Sequence, residues 1–191
     1  INATCMNTHR DWCMRSAEGM APDTGPPDSR SLQWRDVIFK KDHTRVTGKE
    51  VAATTRITLS LRSTKNALGR CTRTVPLLED IPNSGAFMLR ELYLNYMVKF
   101  GCTPPDREPV FVYENGEPVR RKDISSLIQQ LMGMVGVPKH LVGSHSLRRG
   151  GASQYLAAGM PEGKIKAFGR WTSDAYKLYL VIDTSAVDEY A

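Results

Sequence analysis

The chain has 191 residues, 41% hydrophobic and 24% charged, with 26 Lys and Arg against 20 Asp and Glu, a formal charge of +6. That length suits one domain of about 100–200 residues with a real core, and the composition excludes disordered and fibrous classes. No apolar run approaches the ~18 residues that a membrane-spanning helix needs; the most apolar stretch, Ala86 to Phe100, is interrupted by Arg90, Glu91, Asn95 and Lys99. A pI near 9.2 permits nucleic-acid binding without establishing it.

In chain order, Ile1-Asn-Ala-Thr-Cys5 shows no initiating methionine, no basic n-region and no apolar h-region. The expectation is a fragment of a longer intracellular chain that lacks an N-terminal DNA-binding domain, residues 1–191 forming a single domain. A short helix is expected around Asp11 to Met20, followed by a loop over Ala21-Pro-Asp-Thr-Gly-Pro-Pro-Asp28. Residues 31–78 read as strands. Leu32-Gln-Trp-Arg-Asp-Val-Ile-Phe39 is aromatic and β-branched, and Ile57, Leu59 and Leu61 alternate with polar neighbours. Thr74-Val-Pro-Leu77 reads as an edge strand because of Pro76. The turn-rich Ser63-Thr-Lys-Asn-Ala-Leu-Gly69 connects the last two, so a three-stranded antiparallel sheet is expected.

From residue 84 the period becomes helical. Leu89, Leu92, Tyr93, Tyr96, Met97 and Phe100 form one stripe, and Ile124, Leu127, Ile128, Leu131, Met132 and Val135 a second behind Asp123 as N-cap. Core packing accounts for both. Val110 to Pro118 between them is extended with a turn. A third helix runs from Ser144 to Ala158 and is closed by Gly159. Pro161 opens a helix ending near Gly169, and Thr172 or Ser173 caps a last one bearing Tyr176 and Tyr179. The fold class is α+β, mainly α, with a small sheet.

The four cysteines, Cys5, Cys13, Cys71 and Cys102, form no CxxC pair, so reduced thiols are expected rather than a metal site or disulfide scaffold. Four features carry chemistry together. They are Arg15-Ser-Ala-Glu18, Lys65 at a turn, His145-Ser-Leu-Arg148 opening a helix, and Gly169-Arg-Trp171 followed by Tyr179. Singly, each has a plainer explanation: an i, i+3 ion pair, a solvated lysine, or an amphipathic tyrosine. In this order and setting they point to one site.

The order Arg, Lys, HxxR and Tyr resembles the catalytic domain of the tyrosine recombinases, or phage integrase family, over about Arg10 to Leu180. Gly143-Ser-His-Ser-Leu-Arg-Arg-Gly-Gly-Ala-Ser153, with Gly169-Arg-Trp-Thr-Ser-Asp-Ala-Tyr176, looks closest to the crypton or DIRS branch of eukaryotic mobile elements. The resemblance implies site-specific recombination through a 3′-phosphotyrosyl intermediate, without metal, ATP or cofactor. It implies Tyr179 as nucleophile, with Tyr176 as its rival on the same helix. Arg15 and Arg148 would clamp the non-bridging oxygens, Lys65 would be the general acid, and His145 would bind phosphate and assist the phenol. The family has His or Trp directly after a Gly, about nine residues before the nucleophile. Counting gives Arg170, and chemistry gives Trp171, which is preferred. Many members carry histidine where Arg149 stands.

Arg120, Arg121, Lys122, Lys139, His140, Arg149 and Arg170 are candidates for DNA-backbone contact, with a solvated charge run as the alternative for each. The partners implied are double-stranded DNA and further copies of the chain, dimer to tetramer, with no membrane. The compartment is intracellular: the nucleus in a eukaryotic host, cytoplasm or nucleoid in a bacterial or phage one. Two other outcomes fit the same residues, namely a domesticated DNA-binding module that does not cut and a type IB topoisomerase. A helical scaffold with fortuitous motifs is the remaining alternative.

Overall fold

A computed structural model describes residues 1–27, 31–62, 71–79 and 81–180. The architecture is mixed α+β, and the described elements follow the order α1 (Asn2–Asp11), β1 (Val37–Lys41), β2 (Thr44–Arg45), β3 (Arg56–Leu61), β4 (Cys71–Pro76), α2 (Gly85–Phe100), α3 (Arg121–Met134), α4 (Ser144–Ala157) and α5 (Glu162–Gly169). Short 3₁₀ turns separate them, and the last, Asp174–Tyr179, is a 3₁₀ turn where an α-helix was expected.

The sheet has four antiparallel strands in the order β2-β1-β3-β4, not three. The additional strand is only Thr44 and Arg45, folded back on Lys41 through Asp42 and His43, with Asp42 left-handed at φ 55°. Two residues are too few to show a period of two. Trp34–Asp36, expected as strand, is a 3₁₀ turn because Asp36 accepts the Gln33 backbone N–H at 2.9 Å. Val37, Phe39, Ile57, Leu59 and Leu61 close the sheet onto the main core with Trp12, Met14, Leu32, Leu89, Phe111 and Ile124.

The first helix lies at Asn2–Asp11 rather than Asp11–Met20. Its buried face is Thr4, Cys5, Thr8, His9 and Asp11, where short polar side chains satisfy themselves: Thr8 Oγ1 donates to the Thr4 carbonyl at 2.7 Å, and the His9 ring meets the Cys5 carbonyl at 2.8 Å. α2 matches the expected stripe and is capped by Ser84, whose hydroxyl accepts from Phe87 N–H, and by Gly101 at φ 70°. α3 begins at Arg121, with Arg120 as its N-cap. Asp123 sits one turn inside and accepts the Arg120 N–H at 2.9 Å. Gly159 is left-handed just past α4, as read from sequence.

α1 and α4 cross where Gly151 faces the end of α1. A Cβ there would lie 2.0 Å from the Arg10 carbonyl oxygen, so only glycine permits this approach. Arg148 is one turn earlier on the same face of α4. The crossing therefore presses Arg148 against the α1 terminus. It is the packing event that positions the site.

Candidate active site

α1 stops through its own backbone. Met14 N–H bonds the His9 carbonyl at 2.9 Å and Cys13 N–H the Arg10 carbonyl at 3.0 Å, with Cys13 left-handed at φ 46°. This is the reciprocal closure that usually recruits glycine. It turns the Cys13 carbonyl toward α4, where it accepts Arg148 Nη1 at 2.7 Å and Arg170 Nη2 at 3.4 Å. Burial pushes the Cys13 thiol up to about 12, so this sulfur stays protonated and is no rival nucleophile.

Arg148 is 1% exposed. Its second Nη donates to the Gly169 carbonyl, and its guanidinium carbon stands 4.2 Å from the centre of the Trp171 ring, a cation–π contact in a desolvated place. Trp171 lies so tightly on Gly169 that a Cβ there would come within 1.7 Å of the ring. The Gly-Arg-Trp box is thus a mould: glycine admits the indole, and the indole floors Arg148. Burial, then the charges of Arg170 and Arg15, pull Arg148 down to about 10, which leaves it cationic at neutral pH.

Arg15 leads a 3₁₀ turn over Ser16–Glu18. Its backbone N–H reaches Glu18 Oε2 at 2.8 Å, and its Nη1 reaches Oε1 at 3.1 Å. Glu18 is itself buried and also accepts Arg170 Nη2 at 2.5 Å. The R-x-x-E spacing is therefore the ion pair that the plain reading expects, placed inside the site. Arg170, left-handed at φ 61°, keeps its Nε and Nη1 buried with no hydrogen-bond partner among the described residues. Burial lowers its pKa against the opposing pull of Glu18.

His145 is the second residue of α4 and is exposed. Partial desolvation, then the charges of Arg148, Arg149 and Arg15, lower its pKa, so its ring is neutral at pH 7. Tyr176 is buried at 5% exposure, donates to Glu162 Oε2 at 3.2 Å, and lies 6.3 Å from Trp171 between ring centres. Its place in the core agrees with the sequence reading. The backbone of Tyr179 ends the last 3₁₀ turn; its side chain, and the whole of Lys65, lie outside the described residues.

The candidate DNA contacts divide by environment. Lys122, Lys139, His140 and Arg149 are exposed. Arg120 donates to the Pro22 and Gly25 carbonyls at 2.9 Å each and so holds the Pro/Gly loop; Arg121 lies 3.9 Å from Asp23. Arg170 belongs to the buried cluster. Among the described residues no group of three or more His, Cys, Asp or Glu could hold a metal ion, and no helix is long and apolar enough to cross a membrane. Sequence reasoning missed the Cys13 carbonyl and Gly151; the paired Gly150-Gly151 was the available signal for the second.

No protein-family model and no curated protein sequence matches the chain. Solved structures do. XerH site-specific recombinase bound to difH substrate in a pre-cleavage complex has a TM-score of 0.60 at 13% identity, covering 99% of this chain and 45% of that one. The XerH post-cleavage complex on palindromic difH gives 0.61 at 13%, covering 99% and 44%. XerA recombinase gives 0.51 at 17%, covering 99% and 60%. This chain thus spans less than half the length of XerH, and over that part it has the fold of these recombinases.

Proposed function

We propose that the chain is the catalytic domain of a tyrosine-type DNA recombinase or integrase, of the mobile-element kind that its HSLRRGGAS segment resembles. One observation carries the reading. Arg148 is a fully buried cation whose hydrogen-bond partners among the described residues are neutral carbonyls, with two further guanidinium groups close enough to depress its pKa. Such a group is incomplete without an anion. A fold shared with XerH, a recombinase described on its DNA substrate before and after cleavage, makes a DNA phosphodiester the fitting one.

In the reaction the Tyr179 phenol oxygen bonds to phosphorus and the bond to the 5′-oxygen breaks. The phenol gives up its proton with help from neutral His145, and the 5′-oxygen gains one from Lys65. Arg15 and Arg148 meet the charge on the non-bridging oxygens; loss of one such donor removes about 10²–10³ in rate. Trp171 fixes the plane of Arg148. The phosphotyrosyl ester conserves the bond for a second strand, so rejoining needs no nucleotide. Exchange between duplexes takes two to four protomers on DNA, in the compartment that holds that DNA.

The test is a nicked suicide duplex library of randomised sequence, resolved after SDS. Wild type and Tyr176→Phe form a covalent protein–DNA band and Tyr179→Phe forms none. A band persisting in Tyr179→Phe overturns the nucleophile. DNA binding without any band identifies a module that does not cut.

A further inference from the structure

β4 breaks the pattern of its sheet. Val75, Arg73 and Cys71 pair with Ile57, Leu59 and Leu61 of β3, the face that closes the core, so an arginine stands in an inward register among apolar neighbours. Its donors go to main chain. Nε reaches the Phe168 carbonyl at 3.0 Å, Nη2 the Ala167 carbonyl at 2.8 Å, and Nη1 the Thr72 carbonyl at 2.7 Å. Its own carbonyl accepts the Trp12 indole N–H at 3.0 Å.

These partners bracket the site. Phe168 directly precedes Gly169, and Trp12 directly precedes Cys13; the Gly169 and Cys13 carbonyls are the two acceptors of Arg148. The Arg73 guanidinium therefore ties down the segment that carries the Gly169 carbonyl, while its main-chain carbonyl holds the Trp12 side chain next to Cys13. We infer that Arg73 is a positioning residue for Arg148, its guanidinium setting the direction of the Gly169 carbonyl through the end of α5. The inference rests on the reading of Arg148 as a phosphate clamp.

The chemistry explains the residue type. At the end of α5 the Ala167 carbonyl also accepts the capping Arg170 amide at 3.2 Å, the last carbonyls of a helix lack an i+4 partner, and a cation there also suits the helix dipole. A planar guanidinium satisfies two adjacent carbonyls at once and fixes their orientation, whereas a lysine ammonium keeps the charge but not the fork. Arg73→Lys thus separates positioning from charge.

The experiment has two readouts. On saturating nicked duplex, Arg73→Lys forms the covalent band about 10- to 100-fold more slowly than wild type, the scale of a roughly 1 Å misplacement, with duplex affinity unchanged. Replacing the scissile phosphate by a methylphosphonate, which removes one charged non-bridging oxygen, narrows that gap, because less charge remains for Arg148 to meet. An equal loss on both substrates, or no loss, overturns the positioning role. Independently of activity, hydrogen exchange at the Arg170 and Trp171 amides, which bond Ala167 and Lys166, is faster in Arg73→Lys; unchanged exchange overturns the anchoring. Absence of a covalent band in wild type sinks the proposed reaction, and the exchange result still decides the anchoring.

Discussion

Gly150 and Gly151 offer a matched pair of substitutions in one helix with opposite expected signs. Alanine in a helix interior gains about 0.5–1 kcal/mol over glycine at either position. At Gly150 a Cβ meets nothing within 4 Å, so Gly150→Ala keeps that gain and raises Tm by roughly 1–4 °C. At Gly151 the Arg10 carbonyl oxygen must withdraw from 2.0 Å to the ordinary 3.4 Å or more. It is backbone and cannot rotate away, so α1 must part from α4. The Tyr155 bond to the Asp11 carbonyl and the Arg148 bond to the Cys13 carbonyl span that same crossing. Losing a neutral and a charge-assisted bond removes about 1 and 1.5–3 kcal/mol, and overpacking adds about 1–3. After the propensity gain, Gly151→Ala is destabilised by about 3–6 kcal/mol, a Tm fall of at least roughly 6 °C. Thermal unfolding followed by circular dichroism measures both. Shifts of the same sign, or Gly151→Ala within a degree of wild type, refute the claim that this contact sets the helix crossing.

Glu18→Gln strips the buried carboxylate shared by Arg15 and Arg170 and lowers stability in urea by about 3–5 kcal/mol, the usual effect of leaving a buried charge unpaired; a loss under about 1 kcal/mol would contradict the sharing. His9 is fully buried, and desolvation holds its pKa below the ordinary 6.5. The unfolded chain therefore binds a proton that the folded one refuses, and stability present above about pH 6.5 is lost as pH falls, by at most about 1.4 kcal/mol per unit. His9→Gln flattens that slope between pH 7 and 5, whereas an unchanged slope assigns it elsewhere.

Legibility in the sequence tracked how local each signal was. HxxR at a helix start and Gly-Arg-Trp at a helix end are short motifs whose neighbours in sequence are neighbours in space, and both lie where expected. Arg170 and Trp171, weighed against each other for one position, both line the cluster: one pairs with Glu18, the other floors Arg148. α1 was illegible because its buried face is Thr4, Thr8, His9 and Asp11, which no hydrophobic pattern marks. Arg73 was illegible because an arginine in a strand reads as exposed, and two of its three carbonyl partners lie 94 and 95 positions away.

How the other inward-facing arginines are satisfied separates scaffold from site. Arg90 is matched by Glu79 and Glu91 and Arg62 by Asp36; the Glu79 hydrogen bond raises the Arg90 pKa, the mark of a cation whose counter-charge the fold provides. Arg148 is more deeply buried, and with no paired carboxylate to offset it that burial, then the charges of Arg170 and Arg15, moves its pKa down. An arginine serving only as a strut would be expected to follow the Arg90 pattern, because a buried unpaired cation destabilises the fold more than an apolar side chain of its size. Here two other guanidinium groups crowd it, and Glu18 pairs with them. The folded chain thus holds positive charge in excess at one point, on rigid backbone acceptors and an aromatic floor, before any ligand arrives. That arrangement lowers the work of binding an anion and of meeting charge that builds on it, which is the physical support for the proposed phosphodiester ligand.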